Sequence, residues 1–215
     1  MISNWDLYLV TDAKVYPGRS HVDEVEAAIA GGARVVQFRE KQMNDRDMLN
    51  IGTTLRRLTA EADVDFIVNN RVDIALAVDA DGVHVGQEDL PASLVRRLVG
   101  PKGIVGVSAS TSEEAIKAER DGADYIGASP VFSTGTKMDA PRPIGLEGLR
   151  AMADAVNIPI VAIGGISVGN IDGVISAGAD AVAVISAVVC APDMVKASKE
   201  LISKIRAAKR RIQDV

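Results

Sequence analysis

Eight short apolar runs rich in Val and Ile recur along this sequence of 215 residues, separated by segments with helical spacing. Eight such units average about 27 residues each, close to the length of a compact strand–helix repeat. Because right-handed crossovers place successive strands in parallel, the pattern predicts an α/β fold, and eight uninterrupted units favour a closed (β/α)8 TIM barrel over an open sheet. The runs are LYLV (7–10), VVQF (35–38), FIV (66–68), GVHV (82–85), GIVGV (103–107), DYIGA (124–128), PIVAI (159–163) and AVAVI (181–185).

No linker rich in Pro or Ser and no low-complexity stretch divides the repeats. Glycine follows helical stretches and precedes strands in the similar tripeptides 31–33, 122–124 and 178–180, which is typical of helix-to-strand joints. We therefore predict a single TIM-barrel domain over residues 1–215.

Composition excludes several classes of function. The net charge is −5 and only 3% of the residues are aromatic, so neither a broad basic surface nor stacking rings support nucleic-acid binding. Cys190 is the single cysteine, which excludes an internal disulfide, and we expect it to fill the core. The amino-terminal segment lacks the basic region of a signal peptide, and we expect a cytoplasmic protein with no membrane span. A homo-oligomer is left open by the sequence.

The carboxyl ends of the predicted strands carry polar residues, where the active sites of TIM barrels lie. After the second strand, alternation places Gln37, Arg39 and Lys41 on one side and Glu40 on the other. Inward cations need a partner, and a phosphate or diphosphate is the natural one. The alternative is that these are solvated loop charges or internal pairs with Glu40.

The next two strands are followed by Asn69-Asn70 and by a loop that contains Asp89. Asp89 and the carbonyl oxygen of Asn70 form a sparse but feasible Mg²⁺ site, because Mg²⁺ usually takes one or two protein oxygens together with phosphates and water. The alternative is an ordinary turn, in which Asn and Asp are common.

The last three loops contain candidate groups for a second anion. Residues 129–137 form a loop dense in hydroxyl groups that ends in Lys137, and we interpret it as an anion clamp rather than a simple connector. Gly164-Gly165 follows the seventh strand and Ser186 follows the eighth, the two loops at which barrels commonly bind phosphate.

The two histidines indicate no catalytic triad or metal cluster. His21 is expected at the surface of the first helix, and His84 in the fourth strand is expected to be a satisfied residue of the barrel lumen. With no Ser-His-Asp set and no cysteine nucleophile, an acyl-enzyme mechanism has no support.

The chain resembles the thiamine phosphate synthase family through the motifs YLVTD, VQFREK, FIVNNRVDIALAVDADGVHVGQEDLP, GVSAST, GADYIGASPVFSTGTK, IPIVAIGGI and AVISA. The resemblance implies an enzyme that joins a hydroxymethylpyrimidine diphosphate to a thiazole phosphate, with release of diphosphate. It implies that Asp89 and position 70 hold Mg²⁺ and that Arg39, Lys41, Ser108 and Lys137 are catalytic. The implied pyrimidine diphosphate site is Gln37, Arg39, Lys41, Asn69, Ser108 and Lys137, and the implied thiazole phosphate site is Thr134, Thr136, Gly165, Ile185 and Ser186.

One position departs from the family pattern, because Asn70 stands where the family usually has a second metal-binding aspartate. A neutral oxygen still coordinates Mg²⁺ but supplies no charge, so we expect weaker magnesium binding. Two alternatives stay open: a thiazole phosphate tautomerase with Lys41 or Lys137 as its acid or base, and a catalytically silent phosphate-binding sensor.

Overall fold

Eight parallel strands close into one barrel in a computed structural model that describes residues 2–135 and 142–213. Each strand pairs with its neighbours in chain order, and β8 pairs with β1, which confirms the predicted TIM barrel. The predicted strands lie within one or two residues of the observed ones. The strands are β1 (Leu7–Val10), β2 (Val35–Phe38), β3 (Asp65–Asn69), β4 (Gly82–Val85), β5 (Ile104–Ala109), β6 (Tyr125–Ala128), β7 (Ile160–Ile163) and β8 (Ala181–Val184).

Helices follow the strands and cover the outside of the barrel, and a 3₁₀ turn at Ile2–Asn4 precedes β1. Helix α1 begins with a capping box, in which Ser20 and Asp23 satisfy each other's backbone N–H groups. The long last helix packs against α1 and α7 and closes the ring. The helices are α1 (His21–Gly31), α2 (Asp45–Glu61), α3 (Val72–Ala77), α4 (Ala92–Val99), α5 (Ser112–Arg120), α6 (Gly145–Ala155), α7 (Ile171–Ser176), α8 (Ser186–Val189) and α9 (Met194–Gln213).

Alternation along the strands divides the buried residues into two cores. Leu7 and Leu9 of β1 belong to the layer between the sheet and the helices, whereas Tyr8 and Val10 belong to the lumen. Trp5 fills the amino-terminal end of the lumen, and its Nε1 donates to Asp65 at 2.6 Å. The amino-terminal end of the lumen is therefore filled, and the pocket described below lies at the carboxyl ends of the strands.

Two sequence-based expectations about single residues were wrong. His21 is 2% exposed rather than at the surface, because its ring packs edge-on against Phe38 and bonds to Thr11. Cys190 is exposed rather than in the core, because it lies just beyond the last residue of the short helix α8. None of the helices in the described residues has the length and apolar character needed to cross a membrane.

Candidate active site

One pocket opens at the carboxyl ends of the strands and collects nearly all the side chains selected from the sequence. Thr136 and Lys137 lie outside the described residues, so their placement and their roles stay predictions. The other predicted site residues all line the pocket: Gln37, Arg39, Lys41, Asn69, Asn70, Asp89, Ser108, Thr134, Gly165, Ile185 and Ser186.

Arg39 forms an ion pair with Asp12 at the rim of this pocket. The distance from Arg39 Nη1 to Asp12 Oδ2 is 2.5 Å, and the two side chains are only 15% and 12% exposed. For Arg39, the internal partner is Asp12 and not the Glu40 named in the alternative, since Glu40 accepts hydrogen bonds from the backbone instead. Sequence reasoning missed Asp12, although its position directly after β1 was a usable signal.

Glu40 fixes the backbone conformation of the segment that follows β2. Its Oε1 accepts hydrogen bonds from the backbone N–H groups of Lys41 and Gln42 at 2.7 and 2.8 Å. Burial alone would raise the pKa of Glu40, but these bonds and a contact with His21 at 3.4 Å hold that pKa below its usual value. The charged carboxylate thereby fixes the backbone that carries Arg39 and Lys41.

The two candidate magnesium residues lie on neighbouring loops. Asn70 has a left-handed φ of 61°, a conformation that Asn tolerates better than most residues, and its N–H donates to His84 O at 2.8 Å. Asp89 Oδ2 accepts from Gly86 N at 2.7 Å, so the predicted turn is present as well. Among residues 2–135 and 142–213, no group of three His, Cys, Asp or Glu side chains is arranged to hold a metal.

The donor chemistry nevertheless suits Mg²⁺. An Asp carboxylate and an Asn carbonyl are hard oxygen ligands that face one pocket, and Mg²⁺ commonly completes such a small protein set with phosphate oxygens and water. The residues therefore fit a metal that is carried jointly by the protein and a phosphorylated substrate.

The opposite wall of the pocket is built from backbone. Gly165 has a φ of 62°, and a Cβ atom there would lie 2.6 Å from Ser133 O. Phe132 N donates to Gly164 O at 3.0 Å, which joins the loop after β6 to the loop after β7. Ile185 and Ser186 lie beside this wall, where α8 begins. The arrangement resembles the phosphate sites that barrels form after strands seven and eight.

The buried carboxyl group of Glu24, in α1, binds the backbone of Asp12. Glu24 is fully buried, its Oε2 accepts from Asp12 N at 3.0 Å, and its Oε1 has no hydrogen-bond partner in the described part of the chain. Burial, the first cause, raises the pKa of Glu24 to about 7, and the nearby Asp12 charge adds to the effect. Glu24 therefore titrates near neutral pH.

Glu24→Gln is expected to remove a pH dependence of stability. Because its folded pKa of about 7 exceeds the usual value of 4.5, the native state binds the extra proton and loses stability as pH rises from about 4.5 to 7. Urea unfolding of both proteins at pH 5 and pH 8 should show the variant gaining about 2 kcal/mol relative to the parent only at pH 8. Parallel pH profiles for parent and variant would contradict this.

The closed barrel, with cations and amides on one side of its pocket and glycine-rich loops on the other, defines a (β/α)8 barrel protein with a polar pocket at the carboxyl ends of its strands. A family model described as "Thiamine monophosphate synthase" matches residues 7–188. The chain belongs to that family.

Individual relatives agree with the family match. The thiamine-phosphate synthase of Chloroflexus aurantiacus is 58% identical over 93% of this chain and 92% of its own length. That of Moorella thermoacetica is 55% identical over 92% of this chain and 94% of its own. The solved structure of thiamine phosphate pyrophosphorylase from Pyrococcus furiosus has a TM-score of 0.89 and 46% identity, covering 97% of this chain and 99% of that one.

Proposed function

We propose that the protein is a transferase of thiamine biosynthesis that condenses 4-amino-2-methyl-5-(diphosphooxymethyl)pyrimidine with a thiazole phosphate, giving thiamine monophosphate and diphosphate. The observation that carries the proposal is that one pocket is lined both by the cations and amides after β2 and β3 and by the glycine-rich loops after β7 and β8, which we interpret as two anion-binding walls. A protein that binds one phosphorylated ligand needs one such wall, whereas a reaction between two phosphorylated substrates needs both. The family membership supports the same reaction.

The pyrimidine diphosphate is assigned to the wall formed by β2, β3 and β5. Arg39 and Lys41 carry the positive charge that a leaving diphosphate requires, and Asn69 and Ser108 supply neutral hydrogen-bonding groups beside them. Lys137, which the family resemblance adds to this set, stays a sequence-based prediction.

The thiazole phosphate is assigned to the wall formed by the last three loops. The left-handed backbone at Gly165 lets main-chain groups approach a phosphate closely, and Ser186 adds a hydroxyl group. Thr134 and Ile185 line the same side of the pocket, and Thr136 is carried over from the resemblance alone.

Asp89 and Asn70 would hold Mg²⁺ beside the diphosphate. When bound, the ion would neutralise the charge that builds up on the departing diphosphate oxygens. Arg39 and Lys41 act on the same oxygens and require no metal to do so.

The proposed chemistry is a dissociative alkyl transfer. The bond between the pyrimidine methylene carbon and the diphosphate oxygen breaks, and the amino-substituted ring carries the positive charge until the thiazole nitrogen bonds to the methylene carbon. The protein's contribution is to orient the two substrates and to stabilise the leaving group. No proton has to be removed from the attacking nitrogen, which agrees with a pocket rich in cations and amides.

A mixed-substrate assay tests the proposal. Diphosphate release that needs both substrates is the expected result. Isomerisation of the thiazole phosphate alone would identify a tautomerase, and binding of both ligands without turnover would identify a sensor. Either of those outcomes overturns the synthase proposal. The cytoplasmic location and a homo-oligomeric state stay predictions.

Asn70→Asp is expected to lower the magnesium concentration needed for half-maximal activity by about tenfold, because one neutral ligand becomes a charged one. Aspartate also tolerates the left-handed backbone at this position, so the fold should be retained. The measurement is a magnesium titration of the initial rate. An unchanged requirement would remove residue 70 from the metal site.

A further inference from the structure

A row of hydrogen-bonded side chains crosses the floor of the pocket from β2 to β5. Gln37 Nε2 lies 2.8 Å from Tyr8 Oη, and Tyr8 Oη lies 2.8 Å from Tyr125 Oη. Tyr125 Oη lies 2.9 Å from His84 Nδ1, and His84 Nε2 lies 2.8 Å from Ser108 Oγ. We call these five residues the lumen chain. Its ends, Gln37 and Ser108, both belong to the set of residues that the family resemblance assigns to the pyrimidine diphosphate.

The three inner rings of the lumen chain are held firmly in place. Tyr8, His84 and Tyr125 are 1%, 8% and 0% exposed, and Trp5 packs edge-on against both tyrosines at about 5 Å. Gly106 makes room for Tyr125, because a Cβ atom at that position would lie 2.1 Å from Tyr125 Cζ. Because these rings cannot rotate toward other partners, each hydroxyl or ring N–H hydrogen must be donated to the next member of the lumen chain.

The direction of every hydrogen bond follows from the orientation of the Gln37 amide. Burial raises the pKa of Tyr8 and of Tyr125 well above 10, so each phenol keeps one proton to donate. Since Gln37 Nε2 donates to Tyr8, Tyr8 donates to Tyr125 and Tyr125 donates to His84 Nδ1. A neutral imidazole then carries its proton on Nε2 and donates it to Ser108.

In this direction, the two ends offer complementary groups to a ligand. Besides the second N–H of its amide, Gln37 presents a carbonyl oxygen, an acceptor, and Ser108 presents its hydroxyl hydrogen, a donor. Turning the Gln37 amide around reverses each bond in the row, so that Gln37 presents N–H groups and Ser108 presents a lone pair. Through the intervening rings, the orientation of the Gln37 amide therefore determines whether Ser108 offers a donor or an acceptor.

We propose that Tyr8, His84 and Tyr125 are positioning residues that couple Gln37 to Ser108 and make the pocket select an aminopyrimidine over its 4-oxo analogue. An aminopyrimidine carries a donor amine beside an acceptor ring nitrogen, which complements a carbonyl and a hydroxyl. The 4-oxo analogue carries the reversed pair, an acceptor oxygen beside a ring N–H. The inference deepens the proposed function and rests on it for the identity of the ligand.

The first test reads the His84 tautomer by nitrogen NMR of protein labelled in its histidine rings. The chain has two histidines, and a His84→Asn sample assigns the signals. With an aminopyrimidine monophosphate bound, wild-type His84 should carry its proton on Nε2. Gln37→Glu places a pure acceptor beside Tyr8 and should move that proton to Nδ1.

Gln42→Glu is the matched control, because it makes the same chemical change on an exposed side chain outside the lumen chain. It should leave the His84 tautomer unchanged. An Nδ1–H ring in the wild type, or a Gln37→Glu ring that stays protonated on Nε2 or becomes doubly protonated, would overturn the proposal. This readout does not depend on turnover.

The second test measures substrate discrimination. Tyr125→Phe keeps the buried ring but interrupts the row, and it should reduce the preference in kcat/KM for the aminopyrimidine diphosphate over its 4-oxo analogue by at least about tenfold. Tyr16→Phe removes the same hydroxyl group from an exposed tyrosine and should have no effect.

A folded Tyr125→Phe protein with full discrimination would overturn the proposal. Failure of the proposed function gives a different result, since the wild type would then release no diphosphate from either pyrimidine. The tautomer measurement would still decide whether the lumen chain couples its two ends.

Discussion

Arg39→Ala is expected to reduce kcat/KM for the pyrimidine diphosphate by about 10² to 10³-fold. The change removes a cation from the diphosphate wall, and it also leaves the Asp12 carboxylate, only 12% exposed, without its partner at 2.5 Å. An unpaired negative charge at that position repels the substrate that Arg39 attracts. Steady-state kinetics with each substrate varied in turn checks the prediction, and the KM for the thiazole phosphate should change little.

Two further variants separate the loss of the Arg39 cation from the effect of the unpaired Asp12 carboxylate. Arg39→Ala with Asp12→Asn removes both charges and should recover about tenfold of the lost activity, because the repulsion is gone. Arg56→Ala breaks a comparable Arg–Asp pair, Arg56 with Asp81 at 2.8 Å, which does not line the pocket. It should leave kcat/KM unchanged. A loss at Arg39 that falls on thiazole phosphate binding would place Arg39 on the other wall.

Gly165→Ala is expected to raise the KM for the thiazole phosphate by about tenfold or more while changing that for the pyrimidine diphosphate much less. The left-handed φ of 62° strains any residue with a Cβ atom, and that atom would lie 2.6 Å from Ser133 O and 2.8 Å from Phe132 Cβ. Relief requires the loop after β6 to move away from the loop after β7, which alters the wall assigned to the thiazole phosphate.

Gly18→Ala is the matched control for backbone strain. Gly18 has a φ of 91°, but a Cβ atom there would have no neighbour within 4 Å. The control should lower the free energy of unfolding by about 1 kcal/mol without changing either KM. Equal kinetic effects of the two substitutions would show that strain, rather than the contact with Ser133, is responsible.

Much of the site was predictable from the sequence because barrel geometry places the carboxyl end of each strand and the loop that follows it at the pocket. Gln37, Arg39 and Asp89 were found in this way, and all three line the pocket. Asp12 occupies a similar position after β1 but was missed, since its place at a strand end indicated the pocket, whereas only the fold shows that its partner is Arg39.

The histidines show where local reasoning failed. His21 looked like a surface residue because a helix position next to a loop is usually solvated. In the fold, Thr11 of the same repeat and Glu40 of the next repeat approach His21 and contact its two ring nitrogens. For His84, the alternation of β4 was enough to predict a place in the lumen, yet it could not indicate that Tyr125 and Ser108 bond to its two nitrogens.

The sequence by itself determined the repeat of strand and helix, the closure of eight units and the residues at the strand ends, because these depend on periodicity and on neighbours along the chain. The tertiary structure alone decided the partners across the barrel. Arg39 with Asp12, Gly165 against Ser133, and the lumen chain from Gln37 to Ser108 join different repeats. Such contacts depend on distances across the closed sheet, which are set by strand register and side-chain packing.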